Sequence, residues 1–161
     1  MVLFRKALEA DIDLLLQFIN AIAVYEKLEN EVVANRDNLH EWLFDKQIAE
    51  ALILTEEVGG EPIGFALYFF NFSTFVGRAG LYLEDLFIYP EYRGRGYGKK
   101  TLIKLAQIAK ERGCGRMEWV CLDWNKSSID FYLSLGAEPM SDWTTYRLNS
   151  AQVAQLADSN S

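Results

Sequence analysis

With 161 residues, half of them hydrophobic and 14% aromatic, the chain is long enough for one packed core and too apolar for a disordered or fibrous class. Its formal net charge of −7 is unevenly laid out: residues 1–92 hold sixteen acids against six bases, whereas residues 93–104 hold Arg93, Arg95, Lys99, Lys100 and Lys104 with no acid. A compact cationic island in an acidic chain points to one local anionic ligand and speaks against a nucleic-acid partner, which needs an extended basic face.

In chain order, residues 9–25 read as a helix, with Ile12, Leu15, Leu16 and Ile19 on one face and acids in the first turn. A shorter helix is expected over residues 35–45. Two β-like runs, residues 48–56 and 62–71, flank the turn signal "EEVGGE", and residues 79–88 form a third. A glycine-rich stretch then runs into a helix to Arg112, with Leu102, Leu105, Ala106 and Ala109 on one face and Gly113 closing it. A strand over residues 116–123 follows, then a helix capped by Asn125 and ended by Gly136, then a strand over residues 142–148. The last residues, 149–161, read as a short helix or tail. Hairpins first and helix-separated strands later predict an α+β fold around one mixed sheet, in a single domain spanning residues 1–161.

No apolar run approaches the length of a membrane span, and "MVLFRKALEADID" lacks the long apolar core of a signal peptide, so no membrane partner is expected. Cys114 and Cys121 show neither ligand spacing nor the density of a disulfide framework, and His40 is the only histidine. The expectation is a cytoplasmic protein with reduced thiols and no metal.

The cationic island opens with "YRGRGYGKK". A Walker loop needs Gly, four residues, then Gly-Lys-Ser/Thr; counting back from Gly98 lands on Arg93, and Lys100 follows Lys99. A dinucleotide fingerprint fails too, because Lys99 stands where its third glycine belongs. What remains is Arg93-x-x-Gly96-x-Gly98 between a strand and a helix. Its glycines let successive N–H groups turn towards an anion at a helix N-terminus; the plainer alternative is a solvated surface turn.

"YPEYRGRGYGKKTLIKLA" resembles the acetyl-coenzyme A pyrophosphate loop of the GNAT N-acetyltransferases, and "DWNKSSIDFYLSLGA" resembles that superfamily's second signature, an Asn opening a helix with a Tyr seven residues later. The pair lies in the family's order and covers, with the element order, nearly the whole chain. "AVYEKLENEV", "FALYFFNFSTFVG" and "LYLEDLFIYPEYRGRGYG" are similar to the diamine and polyamine acetyltransferases, including the thialysine-acetylating branch. The resemblance implies a mostly antiparallel sheet flanked by helices in the order β-α-α-β-β-β-α-β-α-β. It also implies acetyl-CoA as cosubstrate, a small primary amine as acceptor, and a homodimer. Two other readings stay open: an enzyme acetylating protein lysines or N-termini, and a non-catalytic acyl-CoA-binding module.

By that resemblance the amides around Gly94, Arg95, Gly96, Tyr97, Gly98 and Lys99 would wrap the pyrophosphate, with Arg93, Lys99 and Lys100 adding charge. The backbone of Leu86, Phe87 and Ile88 would pair with the pantetheine arm. In "LYLEDLFI" the apolar alternation stumbles at Glu84-Asp85, as a β-bulge would make it, and a bulge frees an N–H to face the thioester oxygen. Glu84 or Asp85 would take the amine's proton, while Tyr25 and Glu26 would hold a distal ammonium. Phe75, where the polyamine enzymes tend to carry tryptophan, would line the acceptor site. Lys27, directly after Glu26, opposes a polycation if it faces that site. Tyr132 would protonate the departing thiolate; on residues alone it reads as core or rim of its helix. Asn125 would contact the donor as well as cap, with capping alone the plainer role.

Overall fold

The apolar runs of the first part of the chain pair into a five-stranded sheet ordered β1-β2-β3-β4-β5: Leu3–Lys6, Glu50–Thr55, Pro62–Ser73, Arg78–Ile88 and Arg116–Glu118. The first four are antiparallel neighbours and β5 runs parallel to β4. These coordinates are a computed structural model that describes residues 1–159. They divide into two units, Met1–Leu122 and the residues from Asp123 onward.

One face of the sheet is covered by α1 (Ile12–Glu26), entered through a 3-10 turn at Glu9–Asp11 rather than by regular helix from residue 9. The Arg5 guanidinium grips both oxygens of Asp11 at 2.7 and 2.8 Å, pinning that turn to β1. Leu15 and Phe18, one helical turn apart, are fully buried against Ile53, Phe65, Leu67 and Phe87. The Phe18 ring lies flat on Phe65, centroids 5.0 Å apart. The expected second helix is a short α2 (Arg36–Leu39) continued by a π-helix, His40–Asp45. Asn35 and Asn38 cap it reciprocally.

The opposite face carries α3 (Tyr97–Glu111), which buries Tyr97, Thr101, Leu102, Leu105 and Ala109. Ala106, expected on that face, is exposed, and Thr101 is buried instead, its hydroxyl donating to the Tyr97 carbonyl at 2.8 Å. Polarity had concealed Thr101: a hydroxyl satisfied within its own helix packs as a small apolar group.

Two strands differ from expectation. β5 has three residues, Arg116–Glu118, instead of eight, and residues 142–148 form no strand. A strand exists only through its ladder. The unit from Asp123 onward offers, among its described residues, only helices: α4 (Lys126–Ser134) and α5 (Ser150–Ala157). The C-terminal segment is thus helical as far as Ala157, and the end of the expected tail lies outside the described residues.

Where β3 meets the end of β4, a Cβ on Gly64 would stand 2.3 Å from the Phe87 carbonyl oxygen and 3.1 Å from Ile88 Cα. Those neighbours are backbone and cannot swing aside. Gly64→Ala is expected to cost about 1–3 kcal/mol as the strands are pushed apart, read as a lower urea midpoint with an unchanged m-value.

Candidate active site

β4 changes phase halfway along. Leu83 pairs with Tyr68 and Asp85 with Leu67, so Glu84 has no partner on β3: it is the extra residue of a β-bulge. Before the bulge Leu81 and Leu83 are buried; beyond it Phe87 packs under α1, while Ile88 joins Tyr97, Leu54 and Ile63 on the other face. Asp85, opposite Leu67 and two residues before Phe87, therefore faces α1, and Glu84 is exposed.

The same stretch has an open edge. On one side β4 pairs with β3 as far as Ile88, but on the other its ladder to β5 stops at Tyr82 and Glu118. From Glu84 to Ile88, one row of backbone groups is taken by no described strand. Backbone groups alternate between the two edges, so Leu86 and Ile88 face this row, the Ile88 carbonyl accepting from Arg93 Nε at 2.8 Å, whereas the Phe87 carbonyl points at Gly64 of β3.

The electrostatics of the bulge follow from its surroundings. Burial pushes the Asp85 carboxyl up to about 6, helped by the negative charges of Glu84 and then Glu26. Glu26, the last residue of α1, is itself pushed upward by burial. Asp85 on the strand thus feels the charge of Glu26 at the helix end, while Glu26 is raised by its own burial alone. Tyr25, beside Glu26, is exposed and packs its ring against the Arg93 guanidinium, 5.1 Å away.

The glycine stretch follows β4 directly. A 3-10 turn at Pro90–Tyr92 leads to Gly94 (φ 74°) and Gly96 (φ 76°), both left-handed, and Gly96 is the N-cap of α3. No side chain caps that helix. The first hydrogen bond back into the helix start runs from Lys100 N to Gly96 O at 3.1 Å, so the N–H groups of Tyr97, Gly98 and Lys99 project from a positive helix end. This is an anion cradle of backbone amides.

Its cations are employed differently than their sequence positions suggest. Arg93 turns back on the fold: its Nε donates to the Ile88 carbonyl at 2.8 Å, and its guanidinium lies 5.1 Å from the Tyr25 ring and 5.4 Å from the Phe87 ring. Arg95 pairs with Glu56 at 3.1 Å, donates to the Glu91 carbonyl at 3.1 Å and covers the Tyr92 ring. Tyr97 buries its ring and donates its hydroxyl to Glu56. Lys99 and Lys100 remain exposed beside the amides, Lys100 5.7 Å from the Tyr97 ring. Glu56, at the end of β2, escaped the sequence reading because its role comes only from contacts with residues about forty positions away.

Phe75 is not brought to these groups within one chain. It caps the β3–β4 hairpin, 96% exposed, and the run of β4 from Arg78 to Asp85, with six residues between them, alone spans roughly 23 Å. In the second unit, Asn125 caps α4 by accepting from Ser128 N at 3.3 Å. Tyr132 lies on the same helix, its ring 5.5 Å from that of Phe131. A cleft of about 310 Å³ beside Lys6, Glu9, Phe44 and Gln47 lies at the β1 edge of the sheet, away from β4.

The model of the acetyltransferase (GNAT) family matches residues 19–137, which include the bulge, the amide cradle and all of α4. The chain belongs to the GNAT acetyltransferase family. As a GNAT enzyme it is an acyl-CoA-dependent N-acetyltransferase. It is 36% identical over 166 residues to the thialysine N-epsilon-acetyltransferase of Sus scrofa, covering 97% of each chain. It is also 32% identical to that of Caenorhabditis elegans, covering 89% of each. Over 85 residues, 53% of this chain and 37% of the relative, it is 41% identical to an L-ornithine N5-acetyltransferase of Arabidopsis thaliana. Among solved structures, a V. cholerae integron cassette protein matches with TM-score 0.79 and 25% identity over 98% of both chains. The α+β fold expected from the sequence, one mixed sheet flanked by helices, is the GNAT fold. No helix among the described residues is long and apolar enough to cross a membrane.

Proposed function

We propose that this enzyme moves the acetyl group of acetyl-CoA directly to a primary amine of a small diamine, polyamine or amino-acid-like acceptor, with residues 1–161 acting as one catalytic domain. The observation that carries this reading is the acid pair of Asp85 and Glu26 beside the bulge, next to an amide cradle suited to a pyrophosphate. Its match to enzymes named for thialysine and ornithine, both carrying a primary side-chain amine, supports the acceptor class. The family model's run across both units supports a single domain.

The residues divide the work as follows. The amides of Tyr97, Gly98 and Lys99 hold the donor's pyrophosphate, with Lys99 and Lys100 adding charge. The open edge of β4 at Leu86, Phe87 and Ile88 takes the pantetheine arm, and the N–H freed at the bulge faces the thioester oxygen, where negative charge develops. An alkylammonium has a pKa of about 10.4 and is not nucleophilic until it loses a proton. Asp85, the more deeply placed acid, removes that proton, directly or through water, with Glu84 raising its basicity. Glu26 and Tyr25 hold a second charged group of the acceptor. Tyr132 gives its proton to the thiolate as sulfur leaves, and Asn125 holds the start of its helix. Phe75, too far from Asp85 in its own chain, lines the acceptor site across a homodimer. The protein works in the cytoplasm.

The test offers putrescine, spermidine, spermine, thialysine, lysine and a lysine-containing peptide in parallel and follows thiol release from acetyl-CoA. Release with at least one small amine, with the peptide at the level of background hydrolysis, is the expected result. Release with the peptide alone, or with none from folded protein that binds CoA, contradicts the reading. With the preferred amine, Tyr132→Phe is expected to lower kcat about 100-fold while leaving both KM values nearly unchanged. An unchanged kcat would remove Tyr132 from the reaction.

A further inference from the structure

We propose that Glu56, at the turn leaving β2, is a positioning residue for the donor: it holds the amide cradle in its anion-binding shape before acetyl-CoA arrives. The inference rests on the reading of the glycine stretch as the donor's pyrophosphate site, and not on the identity of the acceptor.

Glu56 grips the cradle at two points. Its carboxylate accepts the hydroxyl of Tyr97, the first residue of α3, whose own N–H is one of the projecting amides. It also accepts from Arg95, the residue between the two left-handed glycines, at 3.1 Å. Tyr97 is anchored a second time by its buried ring among Leu54, Ile63 and Ile88, so the hydroxyl contact fixes the rotation of the helix start rather than its mere location. Arg95 is held from the other side by the Glu91 carbonyl, at 3.1 Å, and by the Tyr92 ring, 5.2 Å away. A loop with two left-handed glycines has many conformations open to it. Side-chain ties at residues 95 and 97 remove most of them in advance, and binding then costs less ordering. The Tyr97 hydrogen bond, then Arg95, holds the Glu56 carboxyl below the usual carboxylate range, so the ties persist at neutral pH.

Charge alone argues the opposite. A carboxylate this close to a bound pyrophosphate repels it, so on Coulombic grounds deleting Glu56 tightens binding. The two effects are therefore separable. Glu56→Ala removes charge and acceptor together, whereas Glu56→Gln removes the charge and keeps an amide oxygen for Tyr97 and Arg95.

The experiment measures the Kd of CoA by calorimetry for wild type, Glu56→Ala, Glu56→Gln and Tyr97→Phe, and the KM of acetyl-CoA and of the amine where turnover is seen. Positioning predicts about a tenfold weaker CoA Kd in Glu56→Ala, a smaller loss in Tyr97→Phe, and a value within about twofold of wild type in Glu56→Gln. It also predicts a matching rise in KM for acetyl-CoA with kcat and the amine KM little changed. CoA binding in Glu56→Ala as tight as wild type, or tighter, overturns the proposal, as does a Glu56→Gln variant as weak as Glu56→Ala. Should Glu56→Ala fail to fold, Tyr97→Phe decides, with an unchanged Kd as the contrary result. Wild type that binds no CoA at all would instead refute the donor-site reading, and wild type that binds CoA without acetylating any amine would refute the acceptor reading alone.

Discussion

Asp85→Asn will lose most of its acetyl transfer and at the same time become harder to unfold at neutral pH. The activity loss follows from removing the base that accepts the amine's proton, a contribution of about 100- to 10,000-fold in rate. The stability gain follows from the position of the titration. Burial beside Glu84 and Glu26 lifts the Asp85 carboxyl from 3.8 to about 6, a shift worth about 2–3 kcal/mol in favour of the protonated form. The folded protein therefore binds a proton that the unfolded chain releases, and the advantage is complete only below about 3.8. It is lost as pH rises through about 6, and above that pH the protein carries a buried negative charge at a cost. An asparagine carries no charge at any pH. Wild type and variant should then unfold at nearly the same temperature near pH 4 and separate by roughly 5–10 °C at pH 7.5, with the variant the more stable. Thermal unfolding at the two pH values, beside a transfer assay, reads both halves. A variant that loses activity and stability together would place Asp85 among structural rather than catalytic groups. Trading stability for a poised base is a common arrangement at active sites.

Gly96→Ala is expected to raise the KM for acetyl-CoA by about 5- to 30-fold and to leave kcat at saturation close to wild type. A Cβ at Gly96 meets nothing within 4 Å, so crowding is not the cause. The cause is φ, which is 76° at this residue: an L side chain there costs about 1–2 kcal/mol. The loop can relieve that strain only by rotating the peptide that starts α3, and the rotation turns the amides of Tyr97, Gly98 and Lys99 out of convergence. Uniform loss of donor binding raises KM without touching the chemical step. Initial rates over a range of acetyl-CoA concentrations separate the two parameters. A lowered kcat with unchanged KM would mean that the cradle does not hold the donor.

Much of this was legible in the sequence because it depends on local rules. The interrupted alternation at Glu84-Asp85 is a change of strand phase, and the structure has an extra residue there, Glu84. The glycines of the cationic stretch are expected to free the backbone to turn ahead of a helix, and in the structure Gly94 and Gly96 take left-handed backbone there. What stayed hidden depends on distant partners. Long side chains such as Arg93 and Arg95 can reach in any direction, and only the folded neighbours decide that one meets Ile88 and the other Glu56. Residues 142–148 read as a strand in the sequence, but they form none, and among the described residues of their own unit the regular elements are helices alone. Phe75 and Asp85 are ten residues apart in the chain, a closeness that the extended run of β4 turns into distance.

The most direct test of the acid-pair mechanism is the pH dependence of kcat/KM for the preferred amine, from pH 5 to 9, in wild type and Asp85→Asn. If Asp85 takes the proton from a bound ammonium, wild type rises about tenfold per pH unit up to an apparent pKa near 6. It then stays level to about pH 9, because the ammonium remains the dominant form of the acceptor. Asp85→Asn lacks that limb. A rate that climbs with unit slope straight through pH 6 towards pH 9, alike in both proteins, would mean that the amine sheds its proton to bulk water and that the acids at the bulge take no part.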